Sequence, residues 1–171
     1  MKILGIIGGM SPESTATYYT EINRLVNQKK GGNISAPIVM VSVEFEEIVQ
    51  CQKQSEWQRA GEILAEAGKK LEMIGAEGIV LATNTMHKVA PQIERALSIP
   101  FLHILDATAD AIKSRGLNKV ALLGTKFTMS DNFYRDGLIV RGITPIVPNE
   151  SAQNEIHRRP SLCVCNSQTR R

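Results

Sequence analysis

Two segments of this chain carry polar side chains where an apolar, strand-like run gives way to a helix. The first is Gly8-Gly9-Met10-Ser11-Pro12-Glu13-Ser14, directly after Ile6-Ile7. Main-chain N–H groups at a helix start lack intrahelical partners and carry the positive end of the helix dipole, so such a turn suits a carboxylate or phosphate. Ser11 fits a cap with Pro12 at the first helical position, and a plain helix start would use the same residues. No Gly-Lys-Ser/Thr follows, as a Walker loop needs, and the G-x-G-x-x-G spacing is absent, although a Rossmann-like cofactor domain stays an alternative. The second segment is Gly78-Ile79-Val80-Leu81-Ala82-Thr83-Asn84-Thr85-Met86-His87. Here two hydroxyls and an amide follow a buried strand, a set that caps a helix or holds a small anion. His87 could orient these neighbours or serve as a cap-region residue. Cys51 reads as a small buried hydrophobe. Cys163 and Cys165, one residue apart and without two further ligands, do not make a zinc pattern.

Those segments need elements to hold them. Short β-rich runs at 3–7, 38–43, 78–81, 120–123 and 144–147 alternate with helical patterns at 14–27, 55–74, 86–97 and 106–115. That alternation predicts an α/β fold with a parallel sheet, and the near-continuous apolar strands predict helices on both faces. Gly31-Gly32, Gly75 and Gly116 end helices, while Pro37 and Pro100 precede or open extended segments. Lys2-Ile3-Leu4-Gly5-Ile6-Ile7-Gly8 is echoed by Lys119-Val120-Ala121-Leu122-Leu123-Gly124-Thr125, though any two parallel strands share such features. Two pseudo-symmetric lobes are predicted, the first over 1–103 and a second, incomplete one over 104–155, with ligands at the carboxyl ends of the strands. Residues 156–171 lack periodicity and read as an atypical, disordered tail left by a frameshift or early stop.

Composition narrows the partners. The net charge of +3 is local, because residues 156–171 hold four Arg and no acid, which leaves the remainder at −1. Aromatics are 5% and no basic stripe interleaves with them, so nucleic-acid binding is not indicated. No apolar run approaches the ~18 residues of a membrane span, and an odd count of three Cys argues for reduced thiols; the chain reads as cytoplasmic.

Gly5-Ile6-Ile7-Gly8-Gly9-Met10-Ser11-Pro12-Glu13-Ser14-Thr15, followed by Thr83-Asn84-Thr85-Met86-His87, resembles the cofactor-independent aspartate/glutamate racemases over residues 1–155. The resemblance implies two α/β lobes facing a shared active site, a small-molecule amino-acid substrate, frequent homodimers, and chemistry without pyridoxal phosphate or metal. An α-proton is very weakly acidic, so a carbanion must be stabilised while a base and an acid act on opposite faces. In the family each lobe supplies one, usually a Cys in a Cys-Asn-Thr segment and a Cys in a Gly-Cys-Thr-Glu segment. Carried over by this resemblance, Thr83 is the acid/base position and Met10 offers its main-chain N–H to the substrate carboxylate. Gln52 reaches the ligand, Asn84 and Thr85 bind the α-carboxylate or amino group, and Thr125 touches the substrate from the second lobe.

The chain departs from that pattern twice. Thr83 stands where Cys is usual, and a hydroxyl is far harder to deprotonate than a thiol of pKa about 8.5. It suits donation of a hydrogen, as in the subset of relatives with Thr there. No Gly-Cys-Thr-Glu occurs anywhere, so the opposite-face base is missing and the chain is expected to be a poor catalyst by itself. A non-catalytic amino-acid-binding protein and an inactive fragment are the alternatives.

Overall fold

Gly5, Ile6, Ile7 and Gly8 are all buried, and with Leu4 they form the central strand of a parallel sheet. The computed structural model describes residues 1–124 and 126–158. Strand β1 (Leu4–Gly8) pairs with β2 (Ile38–Ser42) on one side and β3 (Gly78–Leu81) on the other, and β4 (Phe101–Leu102) follows β3. The order is β2-β1-β3-β4, with Ile7 opposite both Val41 and Leu81. From β1 the chain moves one way to β2; from β3 it moves the other way to β4. Right-handed crossovers in opposite directions place α1 (Pro12–Lys30) on one face and α3 (Trp57–Met73) with α4 (Ala90–Ala96) on the other. The carboxyl ends of β1 and β3 therefore flank a topological switch point, where open α/β sheets bind ligands.

Helix α3 shows why the core lies on its side of the sheet. Ala60, Gly61, Leu64, Ala67, Gly68 and Leu71 recur at helical spacing and are all buried, packing with Ile7, Ile79 and Leu81. Short helix α2 (Phe45–Lys53) precedes it, capped by the Glu44 carboxylate and contributing Ile48 and Cys51 to the same core. The helix expected over 86–97 is instead two pieces, a 3-10 turn at Thr85–Val89 and α4. Pro91 explains the division, because it lacks the N–H that a continuous α-helix would bond to the His87 carbonyl.

The chain divides into two compact units, Met1–Ile104 and a second beginning at Leu105. In the second, β5 (Lys119–Ala121) and β6 (Thr144–Ile146) form a parallel pair joined through α6 (Lys126–Ser130) and α7 (Asn132–Val140). The Asp131 carboxylate caps α7, and Tyr134 and Leu138, four residues apart, are its buried positions. Helix α5 (Ile104–Lys113) buries Leu105 and Ala109, and Asp106 accepts from Arg141 Nε at 2.6 Å. Helix α8 (Glu150–Arg158) carries 156–158 as helix, where an irregular tail was expected; Cys163 and Cys165 lie outside the described residues. Among the described residues no helix is long and apolar enough to cross a membrane.

Candidate active site

The turn after β1 is built by close approach. Gly9 has φ of +97°, and a Cβ there would stand 2.3 Å from the Val43 carbonyl oxygen, so no other residue fits without displacing β2's continuation. Thr15 sits inside the turn, 6% exposed, with its hydroxyl accepting from Gly9 N–H at 2.9 Å and donating to the Ser11 carbonyl at 2.9 Å. Ser11 caps α1 by accepting from Ser14 N–H. Its hydroxyl, with Glu13's own N–H, also holds the exposed Glu13 carboxyl below its ordinary pKa. Met10 packs its side chain into the core, 6% exposed, and its main-chain N–H has no acceptor among the described residues. Gln52, on α2, donates from Nε2 to Met86 Sδ at 2.9 Å, which ties it to the turn after β3.

That second turn is fastened to the first. Ala82 N–H donates to the Ile7 carbonyl at 2.9 Å, and Ser14 Oγ donates to the Ala82 carbonyl at 2.9 Å. Thr83, half-buried, bonds its N–H back to Leu81; Asn84 is exposed and Thr85 half-buried. His87, 1% exposed, points Nδ1 at the Thr83 carbonyl, 2.7 Å away. Burial first, then the neighbouring His103, pull its imidazole down to about 4 from 6.5.

Met10, Gln52, Thr83, Asn84 and Thr85 thus belong to one unit and to connected segments of it. Thr125 lies outside the described residues. Cys51 is 2% exposed in the core, away from any nucleophile's need for access. Two hollows open beside the β2 edge. One of about 470 Å³ is lined by Val43, Glu44, Glu47 and Arg59 among others, and one of about 420 Å³ by Pro12, Thr15, Ala16, Tyr19, Met40 and Ser42. Neither has Thr83 in its walls. Sequence reading left His87 without a definite task, since one His among polar residues carries no signal of its burial.

Parallel strands, flanking helices and polar segments at the β1/β3 switch point define a doubly wound α/β protein with a candidate small-ligand site at its strand tips. Comparison with known proteins narrows the class. Residues 7–170 match the family model described as Asp/Glu/Hydantoin racemase, and the chain belongs to that family. The match runs past residue 155, where the motif resemblance was read as ending. A Bacillus subtilis (strain 168) relative, broad specificity amino-acid racemase RacX, is 27% identical over 135 residues, 78% of this chain and 59% of its own length. The crystal structure of a Yersinia pestis protein described as a candidate Asp/Glu racemase superposes with a TM-score of 0.91 at 48% identity, covering 95% of this chain and 71% of that one. An aspartate racemase homologue from Pyrococcus horikoshii OT3 gives 0.83 at 38%, covering 93% and 70%. The chain therefore spans about three fifths of the curated relative it matches.

Proposed function

We propose that this chain carries one half of the site of an amino-acid racemase acting on aspartate, glutamate or related amino acids by side-chain proton transfer at the α-carbon. Thr83 is its acid/base group. Met10 N–H takes the substrate carboxylate, and Asn84, Thr85 and Gln52 complete the contacts. The observation that carries this reading is the pair of bonds from Ala82 N–H to Ile7 and from Ser14 Oγ to Ala82, which hold the two polar turns at adjacent strand tips. Family membership and the named activity of the Bacillus relative support the reaction class.

Racemisation needs a proton carrier on each face of the α-carbon, and groups that act as a unit fail together when one is lost. No Gly-Cys-Thr-Glu stands in these 171 residues, so the chain alone turns over slowly. Exchange of the aspartate α-proton in D2O, followed by NMR, tests this. The rate is expected at least about a thousandfold below an ordinary kcat of roughly 10 per second, and Thr83→Ala removes what remains. A rate near the ordinary value contradicts the impairment; an unchanged rate in Thr83→Ala removes Thr83 from the chemistry. Because the enantiomers are equal in free energy, kcat/KM must match in both directions, and any preference lies in kcat and KM separately.

A further inference from the structure

His87 is buried in a way that its packing does not explain. Its ring lies 4.9 Å from that of His103 and 5.7 Å from that of Phe101. The Thr83 carbonyl can only accept, so Nδ1 carries the hydrogen of that 2.7 Å bond. A neutral ring then leaves Nε2 as a bare acceptor, and Nε2 is indeed buried without a hydrogen-bond partner. A buried acceptor without a donor is a net cost, which a Leu or Phe at this position would avoid. What the imidazole gains in return is the bond from Nδ1.

The neighbouring backbone shows where that bond acts. His87's own N–H donates to the Asn84 carbonyl at 3.1 Å, so one residue holds two successive carbonyls of the turn. The 3-10 stretch Thr85–Val89 is a single short turn that runs into α4 at Ala90, where Pro91 lacks the N–H that a continuous α-helix would give the His87 carbonyl.

We propose that His87 is a positioning residue: its Nδ1–H and main-chain N–H together fix the Thr83 and Asn84 carbonyls, and so set how Thr83, Asn84 and Thr85 are presented to the ligand. The inference rests on the ligand reading of that turn. Three variants of the full chain separate positioning from packing. Asn places an N–H near the Nδ1 position, Gln places one near Nε2, and Leu restores volume alone. His87→Asn is expected to bind aspartate within a fewfold of the wild type and to keep slow amide exchange at residues 83–85. His87→Gln and His87→Leu are expected to lose about tenfold in affinity and that protection. Equal binding and protection in His87→Leu and the wild type, or His87→Asn no better than His87→Leu, overturns the proposal. Nitrogen-15 spectra of the wild-type imidazole supply a readout without any variant: the Nδ1–H tautomer is expected, and the Nε2–H tautomer overturns the proposal. If the wild type takes up no aspartate, the racemase reading fails, while the tautomer and amide exchange still decide the role of His87.

Discussion

At the residue scale, His87 makes the stability of the first unit depend on pH in a definite direction. Its folded pKa, about 4, lies below the ordinary 6.5. Well above pH 6.5 the ring is neutral in both states and contributes no slope. As pH falls from 6.5 to about 4 the unfolded chain takes up a proton that the folded chain refuses, so stability declines across that window and levels off below it. The loss amounts to roughly 3 kcal/mol at full displacement. Denaturant unfolding at several pH values measures it, and His87→Asn should flatten the profile between pH 4 and 6.5. A wild-type profile already flat there would contradict the burial of a neutral imidazole. Thr15 matters for a different reason, since its hydroxyl satisfies the Gly9 N–H inside a closed turn. Thr15→Val leaves that donor buried without a partner, at a cost of about 1–3 kcal/mol in unfolding free energy.

At the scale of elements, the site depends on two turns meeting. Gly9→Ala forces a side chain into a positive-φ position against the Val43 carbonyl, and should lower stability by at least about 2 kcal/mol in thermal or denaturant unfolding. Ser14→Ala is gentler. It removes the bond from α1 to the end of β3, and should cost about 1 kcal/mol while weakening aspartate binding, measurable by calorimetry. Gly78–Leu81 was legible as a strand because an apolar run stands between a Gly and a polar cluster. The cap at Ser11 with Pro12 was legible for a similar reason, since residue types alone specify it. Strand β4 was not, because two residues carry no periodicity and pairing with Ile79 and Val80 makes it a strand. Helix α2 was missed since its apolar face reduces to Ile48 and Cys51 among charges, and α7 since only Tyr134 and Leu138 are buried on it. The polar residues of the site could be read from their place after strands, whereas the bonds of His87, Gln52 and Ser14 join segments whose contact only the folded chain creates.

At the scale of the molecule, the buried core is unequally shared. Among the described residues Ile6, Ile7, Ile48, Leu64, Leu71, Ile79, Leu81, Met86 and Ile93 are large, fully buried side chains of the first unit, against Leu105, Leu138 and Ile143 in the second. Local opening costs least where few apolar contacts must be broken, so native-state hydrogen exchange should proceed faster across 105–158 than in β1 and β3. Uniform protection would contradict that reading. The central claim is that the turns after β1 and β3 serve one ligand, and an amide NMR titration of the chain with aspartate tests it most directly. The account predicts that resonances of Met10 and Ser11 shift together with those of Thr83, Asn84 and Thr85, all saturating with a single dissociation constant. Shifts confined to one turn, or found only elsewhere in the chain, would contradict it.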